Sequence, residues 1–303
     1  MWFICAIVTT LIWGIAELLY KKGANPTEPA THLKTSMWVG LCMGAHATFI
    51  LLTQDLNYDP VNLIKYLPVS AFYILSMCCA YFGVRYIEVS IASPVENTSG
   101  ALCTLLTVVF LGETIGWPAA VTIMMMVVGL VGLGHEQNKE IKRPTKKLSK
   151  MLAIMGFTMP CIYALMDAFG SFLDIYYLDA TRSPLVGITE DNIELIANTT
   201  YELTFLIWAI LLFIYMKYKH IEIIPGQQTS KILAAICETA GQFTYVYAMS
   251  DNGAIAAPII SSVCVVPLVC SRIFLNETLS YRQYFFIGLI VLGIIILAII
   301  EGE

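Results

Sequence analysis

The sequence predicts an all-α polytopic membrane protein, with ten transmembrane helices laid out as two inverted five-helix repeats. Three observations predict it. The chain has 303 residues, of which 58% are hydrophobic and only 13% charged; its mean hydropathy is +0.74, whereas soluble domains carry about 25% charged residues. Apolar runs of about 17–25 residues, long enough to cross a bilayer as helices, recur along the whole chain. The second half also shadows the first. Ile91-Ala92-Ser93-Pro94, leading to Phe110-Leu111-Gly112-Glu113-Thr114, returns 164 positions later as Ile255-Ala256-Ala257-Pro258, leading to Phe274-Leu275-Asn276-Glu277-Thr278. At an offset of 150, Trp13-Gly14-Ile15-Ala16-Glu17 aligns with Tyr163-Ala164-Leu165-Met166-Asp167.

The expected spans lie near 3–20, 37–53, 67–86, 90–111 and 118–134, then 151–174, 196–217, 232–249, 254–274 and 284–300. The first lacks a basic n-region and an A-x-A cleavage site, so it reads as a retained span. Gly40 with Gly44 in the second, and Gly129, Gly132 and Gly134 at the end of the fifth, suit close helix approach. Very short turns at Glu88–Ser90 and Asp251-Asn252-Gly253 require the helices they join to be antiparallel neighbours. The expected organisation is a first repeat over 1–134, a basic linker over 135–150 and a second repeat over 151–303. Five spans per repeat is an odd number, so the second copy is turned over in the membrane. The longest polar stretches, 135–150 and 175–195, fall short of the roughly 40 residues an independently stable domain needs, which excludes a catalytic extramembrane domain. All nine cysteines fall in apolar runs and read as small packing hydrophobes.

Short cytoplasmic loops collect Lys and Arg. Fifteen of the seventeen basic residues fall on one side of the ten-span layout, including Lys21, Lys22, Lys34, the linker lysines, Lys217, Lys219 and Lys231. Only Lys65 and Arg182 fall opposite. The charge bias therefore places both termini outside the cell, in a multi-pass cell-membrane protein, with the linker in the cytoplasm.

An ionisable side chain in the hydrocarbon costs at least about 2.5–3.5 kcal/mol on insertion scales and marks a functional site by default. Five carboxylates lie within the expected spans: Glu17, Glu96, Asp167, Glu202 and Glu238. No deep lysine or arginine faces them, and His46 is the one intramembrane candidate base. Glu17 precedes Lys21 by four positions, which also suits a helical ion pair. Glu96 follows Pro94, where a discontinuous helix exposes backbone groups. Aromatic residues accompany the acids: Trp13 one turn before Glu17, Tyr163 one turn before Asp167, Tyr201 beside Glu202, and Tyr245 two turns beyond Glu238. Aromatic faces with a carboxylate make a cage for an ammonium group, while Trp and Tyr also gather at membrane interfaces for structural reasons.

The ten-span layout and the repeated segments ending in Glu113-Thr114 and Glu277-Thr278, each followed by a glycine-bearing span, resemble the drug/metabolite transporter superfamily, in its ten-helix EamA-like branch. The resemblance covers the whole chain and implies two facing five-helix repeats. It also implies cytoplasmic termini, opposite to the charge bias. Glu113 and Glu277 themselves read mainly as carboxylates at a helix–helix turn, favouring the positive N-terminus of the next helix.

Inverted repeats are the plan of secondary transporters, which alternate access around a site between the halves. The expected function is secondary active transport of a small organic cation or amine-bearing metabolite, with protons as coupling ion. The alternative is a neutral or zwitterionic substrate, such as an amino acid, nucleobase or sugar, with the carboxylates serving proton coupling alone. A channel or an intramembrane enzyme is the remote reading, since the chain has no H-E-x-x-H helix, histidine cluster or filter-like loop. Neither enzymatic activity nor a metal, cofactor or nucleic acid is expected. Membrane lipid is the expected surrounding; a monomer suffices, and a homodimer stays open.

Overall fold

The computed structural model describes residues 1–24, 28, 30–83, 95–140, 150–274 and 280–301. Among them there are helices and turns and no strand. In chain order the helices are α1 (Trp2–Gly23), α2 (Thr31–Thr53), α3 (Leu67–Gly83), α4 (Ser99–Leu106), α5 (Trp117–Glu140), α6 (Lys150–Leu178), α7 (Ile193–Tyr218), α8 (Thr229–Ile260), α9 (Val265–Phe274) and α10 (Tyr281–Glu301). A single turn, Asn62–Lys65, precedes α3, and a π turn, Thr107–Leu111, extends α4. Six helical segments among the described residues are long and apolar enough to cross a membrane, and Leu67–Phe82, Ser99–Leu111 and Tyr281–Leu297 are shorter apolar helices.

Two prolines and one break in the backbone interrupt the regular helical hydrogen bonding. Pro160 lies inside α6, where it withholds one hydrogen bond from the ladder. Pro258 does the same near the end of α8. Asn252 has non-helical backbone (φ −152°, ψ 58°) inside α8, which breaks that element where the sequence expects the Asp251-Asn252-Gly253 turn. The expected turn at Glu88–Ser90, and with it Arg85 and Pro94, lies outside the described residues, as does Glu277. Glu113 is half-buried in the α4–α5 turn; burial raises its carboxyl above the usual range, opposed by Arg182.

Packing pairs the first five helices with the last five. The most extensive contacts are α1 on α8, α2 on α7, α3 on α6 and α5 on α10. A Cβ on Gly40 of α2 would lie 2.2 Å from the Phe205 carbonyl oxygen of α7, so only glycine permits this approach. Large apolar side chains such as Leu52, Phe110 and Trp117 remain exposed on the outside of the bundle, as lipid contact requires.

Each end of the bundle is tied by a polar cross-link between these two sets. At the lysine-rich end, Glu28 accepts from Lys34 and from Lys231, both at 2.7 Å, and all three are buried. Gln228 Nε2 donates to Glu28 Oε1 at 3.2 Å and Thr31 to Oε2 at 3.2 Å. Burial works against ionisation of Glu28, but the hydrogen bonds from Lys231, Lys34 and Gln228 outweigh it and hold the carboxyl at about 2. At the opposite end, Asn62 exchanges two hydrogen bonds with the Val186 backbone, at 3.0 and 2.8 Å. Lys65 Nζ there donates to the Pro184 carbonyl at 2.7 Å.

Candidate functional site

A cavity of about 180 Å³ lies between α1, α3, α4, α6, α7 and α8, in the half nearer the lysine-rich end. Four of the five sequence-predicted carboxylates line it: Glu17 from α1, Glu96 from the turn before α4, Asp167 from α6 and Glu238 from α8. So do Trp13, Tyr163, Tyr201 and Tyr245. Residues scattered over more than two hundred positions meet because α1 packs along α8 and α6 along α3.

The wall is ordered by aromatic and hydroxyl contacts. Trp13 stacks on Tyr245, with centroids 5.2 Å apart and planes at 28°, and its indole N–H donates to the Glu238 carbonyl at 3.2 Å. Tyr20 donates to Glu238 Oε2 at 3.1 Å. The Tyr73 and Tyr245 hydroxyls are 2.6 Å apart, and each is 3.1 Å from Ser171 Oγ. The Ser99 and Tyr163 hydroxyls face Asp167, and Glu96 Oε1 is buried without a hydrogen-bond partner. Gly100 lets α4 close against the far side of this space, since a Cβ there would meet the Ala257 carbonyl at 2.4 Å.

Among the described residues, no basic side chain makes a contact ion pair with Glu17, Glu96, Asp167 or Glu238. Lys21 faces Glu17 one turn on and lines the same space. The site is therefore acidic, with one cation at its edge. Among the described residues no group of three or more His, Cys, Asp and Glu is arranged to hold a metal ion.

Glu202 stands apart. Its carboxylate is fully buried and sits 2.7 Å from His46 Nδ1, whose ring meets Phe243 edge-on at 5.8 Å. Adjacent positions on a helix point about 100° apart, so Tyr201 reaches the cavity while Glu202 turns to α2. The sequence reading passed over two acids that the fold makes prominent. Asp174 falls at the very end of an expected span, yet it is completely buried and accepts a hydrogen bond from Tyr66; its spacing of seven from Asp167, which returns to one helix face, is the signal the sequence offers. Glu28 lay in a short polar loop, and nothing local marks its partners 6 and 203 positions away.

The sequence profile described as EamA-like transporter family matches residues 1–134 and 184–299. No curated protein matches the chain in sequence. A solved structure described only as "Crystal structure of protein" superposes with a TM-score of 0.71 over 99% of this chain and 96% of its own, at 13% identity. That likeness shows the fold alone.

Proposed function

Because the chain belongs to the EamA-like transporter family, and so is a multi-pass membrane transporter of small solutes, we propose that its cargo is a small organic cation or amine-bearing metabolite, moved by alternating access and coupled to protons. One observation carries this reading: four carboxylates from separate helical segments converge with seven aromatic side chains on one cavity. Desolvated aromatic faces favour an ammonium group by about 2 kcal/mol or more per ring, and the carboxylates supply its counter-charge. The volume of about 180 Å³ is below the roughly 300–1,000 Å³ of drug-sized clefts, which favours a small metabolite.

The packing supports reading the bundle as ten spans in two inverted repeats, 1–134 and 151–303. Exchanging α1 with α6 and α3 with α8 turns the α1–α8 pair into the α6–α3 pair, while α2–α7 and α5–α10 each map onto themselves. The same exchange carries the Glu28 cross-link at one end onto the Asn62 and Lys65 cross-link at the other. Rocking about the α2–α7 and α5–α10 contacts opens one end as the other closes. The positive-inside bias puts the Glu28 end in the cytoplasm and both termini outside.

Lys21 in the lining favours a second reading, a zwitterionic cargo whose carboxylate meets Lys21 while its amine meets the acids. The test is reconstitution in liposomes, recording current or pH change on rapid addition of organic cations, neutral amino acids and sugars. A response confined to cations, and lost in Glu96→Gln and Glu238→Gln, supports the reading. Responses to amino acids alone select the zwitterion, and responses to sugars alone overturn both.

A further inference from the structure

We propose that Asp174 is a proton-binding site for coupling, distinct from the acids that meet the cargo. The inference rests on the transport reading above for its purpose, but on its own observations for its place. Asp174 has no exposed surface. One carboxylate oxygen, Oδ1, accepts from Tyr66, and the other, Oδ2, is buried and makes no hydrogen bond. The groups facing it come from every packed element: Tyr66 from the turn before α3, Tyr73 from α3, Cys103 from α4, Tyr201 from α7 and Tyr245 from α8. Asp167 stands two turns back on α6 itself. Among these there is no lysine, arginine or histidine. A carboxylate taken out of water without a cation or a full set of donors gains its neutral form by taking a proton.

The surroundings decide that the occupant is a proton and not the cargo. Ser171, Tyr73 and Tyr245 line the cavity and Asp174 does not. Their mutual hydroxyl contacts of 2.6, 3.1 and 3.1 Å form a layer between the cavity and Asp174 too tight for an organic ammonium. The same layer provides the coupling. Tyr73 has one hydroxyl hydrogen, shared with Ser171 and Tyr245, and its hydroxyl also reaches toward Asp174. Ionised Asp174 draws that hydrogen away from the cavity wall. When a proton adds to the Oδ2 lone pair the charge is lost, no other bond breaks, and Tyr73 returns its hydrogen to Ser171 or Tyr245. The cavity wall thus changes its donors with the charge on Asp174.

The full chain in liposomes tests this with two readouts. In infrared difference spectra across a pH step, the wild type shows a buried protonated-carboxyl band that Asp174→Asn abolishes. Tyr66→Phe, which removes one donor, moves the pH midpoint of that band by about one to two pH units. In transport, with ethylammonium and tetramethylammonium as probes, Asp174→Asn keeps counterflow exchange within about twofold of wild type, while pH-driven accumulation falls to a ratio of one. Asp174→Glu retains the band and restores accumulation, and it replaces Asp174→Asn if that variant does not fold. A band unchanged in Asp174→Asn overturns the inference, as does normal pH-driven accumulation. A wild type that moves neither probe refutes the cation reading of the cavity instead, and the infrared band then decides Asp174 alone.

Discussion

Replacing Glu28 by Gln removes, among the described residues, the one carboxylate in a cross-link that holds two buried ammonium groups. Lys34 and Lys231 each sit 2.7 Å from a Glu28 oxygen with 1% of the side chain exposed. An amide in that position offers one acceptor and turns a donor toward the other lysine. Breaking a buried ion pair by removing one partner destabilises by about 3–5 kcal/mol. Two stranded cations put the effect in the upper part of that range, although Lys231 keeps its bond to the Gln227 carbonyl at 3.0 Å. A loss of about 4 kcal/mol is close to a thousandfold in the folding equilibrium, a large fraction of the usual 5–15 kcal/mol. The pH dependence follows from the same geometry. The folded Glu28 carboxyl is held at about 2, below its ordinary 4.5, so its contribution is complete above about pH 4.5 and is lost as pH falls toward 2. Unfolding of the purified protein in mixed micelles, followed by tryptophan fluorescence between pH 2 and 7, reads both effects. Glu28→Gln should be less stable at neutral pH and should lack the wild-type decline between pH 4.5 and 2. The triple variant Glu28→Met, Lys34→Met, Lys231→Met should recover to within about 1–2 kcal/mol of wild type, because an apolar set needs no counter-charge. A Glu28→Gln loss below about 1 kcal/mol, the scale of an exposed pair, would refute the reasoning.

Gly40→Ala should destabilise by several kcal/mol or abolish folding, since its Cβ would meet backbone at 2.2 Å, whereas Gly288→Ala, with nothing within 4 Å, should be neutral or stabilising by up to about 1 kcal/mol; the same micelle unfolding compares them. Trp13→Ala removes the ring stacked on Tyr245 and should weaken binding of tetramethylammonium roughly 30-fold, the equivalent of about 2 kcal/mol for one desolvated cation–π contact, measured by calorimetric titration. Glu202→Gln replaces the carboxyl that contacts His46 at 2.7 Å, which should lower stability by about 1–3 kcal/mol while leaving the half-saturation concentration for transport unchanged. A shift there equal to that of Glu238→Gln would return Glu202 to the cavity.

Much of the fold was legible because a bilayer imposes a simple rule: each crossing must be a helix, and its length and apolarity are written consecutively in the chain. The break at Asn252 was legible for the same reason, since three polar residues interrupt two apolar runs. Eight of the nine residues singled out, Trp13, Glu17, Glu96, Tyr163, Asp167, Tyr201, Glu238 and Tyr245, meet at one cavity, because an acid in an apolar run is too expensive to sit against lipid and must turn inward. That argument says inward and nothing more. It could not say toward which neighbour, so Glu202 was grouped with the others although its helix face looks to His46 on α2.

By itself, the sequence determined the membrane environment, the helical class, the recurrence of short segments between its halves and the acidity of the apolar runs, all properties of consecutive residues or of their repetition. The tertiary structure alone decided the rest. It buried Asp174 against the Tyr66 hydroxyl, gave Glu28 two lysines from different helices, and brought Trp13 against Tyr245. Such pairings depend on how each helix is rotated and how deep it sits against its partners. Rotation and depth are fixed by close-packed contacts between residues far apart in the chain, and hydropathy does not encode them.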